Sequence, residues 1–101
     1  MKIPKTLKVG GFNYKVIQGY KFKEKELAGQ ADHRSLEIRL SSIDPGGNKY
    51  AQAKIEECFL HELLHAVDCV YNCNKLDEDT VDRLSNGLYQ VLKDNKILRS
   101  T

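Results

Sequence analysis

The chain has 101 residues, 41% hydrophobic and 30% charged, with 16 basic against 14 acidic side chains and a net charge of +2. That length holds one domain with a modest core, and the composition excludes disorder and collagen-like or low-complexity sequence. The basic residues are spread along the chain, no apolar run approaches the roughly 20 residues of a membrane span, and three Cys make an odd number; nucleic-acid binding, membrane insertion and a disulfide scaffold are therefore not expected.

Met1 to Lys5 carries no apolar segment after its charges, so a cytoplasmic protein is expected. Thr6 to Val9 and Phe12 to Gln18 are short runs rich in Val, Ile, Tyr and Phe, split by Gly10-Gly11. Paired glycines accept the positive φ of tight primed turns, which predicts a hairpin. Phe12, Tyr14 and Val16 alternate with Asn13 and Lys15, so one face is expected to be buried. Tyr20 to Gly29 reads as a loop with one helical turn, and His33 as a loop residue. Leu36, Ile38 and Leu40 alternate with Glu37 and Arg39, which predicts a half-buried strand over 35–40. Asp44-Pro45-Gly46-Gly47-Asn48 is a turn signal.

From about Tyr50 to Tyr71, Ile55, Phe59, Leu63, Ala66 and Val70 recur at three- and four-residue spacing, the period of one helical face. Residues 72–76 break the pattern. A second helix is expected from Asp77 as N-cap to about Asp94-Asn95, with Val81, Leu84, Leu88, Val91 and Leu92 as its apolar face and a frayed end beyond. The short connection predicts antiparallel packing. The expected architecture is α+β in one domain: a β-rich half over 1–49, a small antiparallel or mixed sheet, packed on two long antiparallel helices over 50–95.

His61-Glu62-Leu63-Leu64-His65, an HExxH motif, falls inside the first helix. Two His four residues apart share one helical face, so both imidazoles can reach one metal ion. Glu62 projects sideways from the same turn, where a carboxylate can take a proton from water held by such an ion. A catalytic zinc ion (Zn2+) needs a third protein ligand and one open position. Glu78, in the first turn of the second helix, is the main candidate. Asp82, one turn on, is either a rival ligand or an acceptor that orients a ligand imidazole. A Cys/His site is opposed by geometry, because Cys58 and Cys69 are eleven residues apart, about 16 Å along a helix. Both read as inert, buried thiols.

Phe59 to Val67 followed by Glu78 to Ser85 resembles the gluzincin-type zincin metallopeptidases, and is most similar to small phage- or prophage-borne ImmA/IrrE-like peptidases. Those pair HExxH with a glutamate on the next helix, which Glu78 matches. Glu78 and Asp82 also match the broader E-x-x-x-D pattern, and the likeness covers roughly residues 35–92. It implies a minimal zincin-like fold and zinc-dependent peptide hydrolysis, with His61, His65 and Glu78 as ligands and Glu62 as general base. It further implies that the strand over 35–40 is the edge strand flanking the cleft. The substrate would be a specific protein or peptide, such as a transcriptional repressor, in a bacterial cell or phage-infected host. Two other readings stay open: a regulatory protein that binds a partner and keeps zinc as a structural pin, and a metal-free helical interaction module.

Overall fold

The computed structural model describes residues 1–97. Its elements are β1 (Thr6–Val9), β2 (Phe12–Gln18), β3 (Gly29–Asp32), β4 (Glu37–Leu40), α1 (Gln52–Tyr71) and α2 (Glu78–Asp94). The sheet order is β1-β2-β4-β3, with β1/β2 and β3/β4 antiparallel and β2/β4 parallel. The protein is thus α+β, a four-stranded mixed sheet packed on two helices.

The β1–β2 hairpin turns at Gly10-Gly11. Only Gly10 takes a positive φ, 60°, as the first central residue of a II′ turn does. Tyr14 and Val16 of β2 and Ile38 and Leu40 of β4 point to the same side of the sheet, where they meet Phe59, Leu60 and Ala66 of α1. Phe12, expected to point inward with them, is 50% exposed at the hairpin tip. The opposite face is polar: Arg39 pairs with Glu37 and Asp32 and bonds Gln30 across the β3–β4 ladder.

Among the described elements α2 touches only α1, while α1 also touches β1, β3 and β4. α1 therefore lies between the sheet and α2. The helices run antiparallel, since Tyr89 near the end of α2 bonds Glu56 near the start of α1, while Glu78 reaches the middle of α1. Enclosure on two sides explains why α1 buries Glu56, Glu62 and Asp68 alongside Phe59, Leu60 and Ala66.

Further expectations are corrected. The strand over 35–40 is not an edge. It spans Glu37–Leu40 and sits inside the sheet, because both of its sides are used: parallel to β2 and antiparallel to β3. The edge on that side is Gly29–Asp32, a segment not expected to be a strand. The buried face of α2 is Val81, Ser85 and Tyr89, with Leu92 packed on the core, whereas Leu84, Leu88 and Val91 are about half exposed. A helix with one neighbour buries one stripe, and here Glu78 and Tyr89, each bonded to α1, fix its rotation. The segment 20–29 is otherwise the expected loop with one turn, closed by Leu27 N–H donating to the Glu24 carbonyl. The expected fraying past Asn95 falls largely on residues 98–101, outside the described residues. No helix among the described residues is long and apolar enough to cross a membrane.

Candidate metal centre

The centre is built where α1 faces the first turn of α2. Four-residue spacing puts His61 and His65 on one face of α1, with their Nε2 atoms 3.2 Å apart. The connection to α2 is organised by buried Asp68. Its carboxylate accepts from Asn72 Nδ2 at 2.9 Å and from the Leu76 N–H at 3.3 Å, and its carbonyl accepts from the N–H groups of Asn72 and Asn74. Cys73 and Asn74 take left-handed φ of 55° to make this reversal. Asp77 then caps α2, its side chain accepting from the Thr80 N–H at 2.7 Å.

Glu78, the first residue of α2, is thereby aimed at the two imidazoles. Its Oε1 lies 2.6 Å from His61 Nε2 and its Oε2 lies 3.0 Å from His65 Nε2. Among the described residues this trio is the one cluster of three or more potential ligand side chains, and no fourth joins it. Two imidazole nitrogens and a carboxylate oxygen are a donor set that zinc accepts. Their contacts of 2.6, 3.0 and 3.2 Å lie inside the roughly 3.3 Å edge of a tetrahedron with bonds of about 2.0–2.1 Å, so the side chains would open slightly around an ion. The residues fit a three-coordinate zinc site with one position left for a small ligand. Asp82 is placed differently, its Oδ1 3.5 Å from His61 Nδ1, on the far side of the ring from Glu78.

Glu62 turns away from the ligand pair, as the helical step of about 100° per residue requires. It is buried under the start of β3, where its carboxylate is pushed up to about 7. Burial is the main cause and Glu78 adds to it; His61 and hydrogen bonding from the Ala31 backbone act the other way. Gly29 makes this closeness feasible. A Cβ there would lie 2.5 Å from Cys58 Sγ and 3.1 Å from Glu62 Oε2. Cys58 is partly buried at the same contact, and burial pushes its thiol up to about 12, an unreactive sulfur. Cys69 is also partly buried, and Cys73 is exposed.

A cleft of about 350 Å³ opens over the centre, with β3, Glu62, His65 and Glu78 in its wall. His33 lines it too. Reading residue 33 as a plain loop position missed this, because the strand before it was not recognised. The legible signal was Asp32, whose carboxylate accepts from the Arg34 and Ser35 N–H groups and so closes a turn between two strands. A second groove of about 400 Å³, formed by residues 19–27 and 41–47, adjoins the cleft and shares Leu27 with it. Comparison with family models, curated proteins and solved structures finds no match.

Proposed function

We propose that this protein is a zinc-dependent peptidase acting on an extended segment of a protein or peptide. The observation that carries the reading is the convergence of His61, His65 and Glu78 in one cluster, with the buried Glu62 carboxylate in the same cleft. Zinc, when bound there, supplies Lewis acidity, polarising a carbonyl and making water a stronger acid. Glu62 takes the proton of the attacking water and delivers it to the leaving amine, so one carboxylate serves as base and then as acid. Its burial suits that role, since a carboxylate with raised proton affinity holds a proton long enough to pass it on.

The open edge of β3 supports a peptide substrate. The Ser41 N–H donates to the Ala28 carbonyl, so by alternation Gln30 and Asp32 direct their backbone groups to β4 while those of Gly29 and Ala31 face away from it, the Ala31 N–H toward Glu62. An extended chain can pair with that edge beside the metal ligands. The sequence resemblance makes a regulatory protein such as a transcriptional repressor, in a bacterial or phage-infected cytoplasm, the first substrate to try.

The test has two parts. Purified protein should hold about one zinc per chain, measured by elemental mass spectrometry, and Glu62→Gln should hold the same amount. A proteome-wide comparison of cells expressing wild type or Glu62→Gln should then find a protein cleaved only by wild type. Zinc retention with identical proteomes would favour the zinc-pinned binding protein, and protein unable to take up zinc would favour the metal-free module.

A further inference from the structure

We propose that His33 is a catalytic hydrogen-bond donor, its Nε2–H held toward the cleft by Tyr14 to bind the carbonyl oxygen of the scissile peptide as negative charge develops there. The inference rests on the peptidase reading and adds to it a residue that lines the same cleft as Glu62, His65 and Glu78.

Its basis is the tautomer. Tyr14 is 1% exposed, in the core beneath the sheet, and its hydroxyl lies 3.1 Å from His33 Nδ1. A buried phenol that only accepted from this ring would leave its own proton without a partner, at a cost of about 1–3 kcal/mol. The hydroxyl therefore donates, and Nδ1 accepts. In a neutral imidazole with Nδ1 accepting, the ring proton sits on Nε2. Burial pushes the His33 pKa down, in the direction that favours the neutral ring. The same burial raises the Tyr14 pKa and keeps the phenol protonated. The rings meet edge to face at 6.2 Å, which further fixes the imidazole plane.

A neutral His with Nε2 protonated is a donor and a poor metal ligand, consistent with its place outside the three-ligand cluster. It lines the cleft with Glu62, His65 and Glu78, at the end of the strand whose open edge faces a substrate backbone. A fixed donor at this position strengthens its bond as the oxygen becomes anionic and needs no rearrangement to do so. The sequence Tyr14-to-His33-to-substrate is a rigid relay of orientation, since Tyr14 is anchored in β2 and cannot swing.

The experiment uses the zinc-loaded full chain. Long-range 15N–1H NMR of the imidazoles should show His33 Nε2 protonated and Nδ1 as an unprotonated acceptor, and Tyr14→Phe should abolish that preference. Activity is read on a peptide digest of the host proteome, with products counted by mass spectrometry and kcat and KM measured for the best-cut peptide. His33→Leu should lower kcat by about 10²–10³-fold with KM and zinc content little changed. His33→Gln, which keeps an N–H donor, should recover part of the loss. An Nδ1–H tautomer in wild type, or loss of zinc from His33→Leu, overturns the inference while leaving the Glu62 result intact. Wild type that holds zinc but cuts no peptide removes the peptidase reading, and this inference with it.

Discussion

The two helices invert the usual relation between polarity and burial. α1 buries three carboxylates, those of Glu56, Glu62 and Asp68, while α2 leaves Leu84, Leu88 and Val91 about half exposed. The difference follows from position. α1 is enclosed by the sheet and by α2, so polar residues on its flanks are covered and each must find a partner. Glu56 accepts from the Tyr89 hydroxyl at 2.8 Å, Asp68 from the connection, and Glu62 faces the cleft. α2 has one neighbour, so its apolar residues outnumber the places that can cover them. Enclosure thus concentrates the chemistry on α1 and leaves α2 to deliver Glu78 at one end and Tyr89 at the other.

The comparison can be broken at several points. The largest effect is expected at the delivered ligand: Glu78→Ala should weaken zinc affinity by orders of magnitude in a competition titration with a chelator. Asp82→Asn should weaken it by about 10–100-fold, the size of changes behind a ligand imidazole. The opposite ranking would exchange the roles of the two residues.

Next comes the buried acceptor that shapes the connection. Asp68→Ala strands the Asn72 side chain and the Leu76 N–H, and urea unfolding should show a loss of about 2–4 kcal/mol. Because the same carboxylate sets the start of α2, the variant should also bind zinc less tightly, whereas a purely local role would leave affinity unchanged.

A smaller effect is expected where α2 closes on α1. Tyr89→Phe removes a bond to a buried carboxylate and should cost about 1.5–3 kcal/mol at neutral pH. Burial and the Glu56 hydrogen bond push the Tyr89 phenol up to about 12 from an ordinary value of 10.0. A phenol with a raised pKa retains its proton longer in the folded state. Its contribution is therefore complete below pH 10 and fades as pH rises toward 12. Wild type should lose that increment between pH 10 and 12 and Tyr89→Phe should not.

The smallest change belongs to the exposed apolar residues. Leu84→Ser and Leu88→Ser should each lower the unfolding free energy by no more than about 1 kcal/mol, measured by urea titration. A loss of 3 kcal/mol or more at either would show that the stripe is covered.

What sequence could reveal here tracks how local the cause is. The hairpin at Gly10-Gly11, the Asp77 cap and the HExxH spacing are all written within a few residues, and each element forms where expected. The proximity of Glu78 to the two His needed one further step, the short connection between helices. β3 was illegible because Gly29-Gln30-Ala31-Asp32 contains no β-branched or aromatic residue. It is a strand because β4 offers a ladder and α1 lies close behind, both causes from elsewhere in the chain. The rotation of α2 was misread for the same reason: counting apolar residues selects Leu84, Leu88 and Val91, but the bonds at its two ends turn Ser85 and Tyr89 inward. His33 combined both problems, sitting after an unrecognised strand and meeting Tyr14 nineteen residues earlier.

Gly29 has a consequence for how such a cleft chooses what it holds. With no side chain between the strand and Cys58 and Glu62 behind it, this part of the wall presents main chain, and main chain is alike in every peptide. Under the proposed activity, recognition at β3 is therefore indifferent to the identity of the residues it grips. Discrimination falls to the two loops that meet at Leu27, residues 19–27 and 41–47, which carry Lys21, Phe22, Lys25 and Ile43 into the neighbouring groove. Gripping and choosing are then separate parts of the fold, and the loops can change their preferences without disturbing the ligands or Glu62.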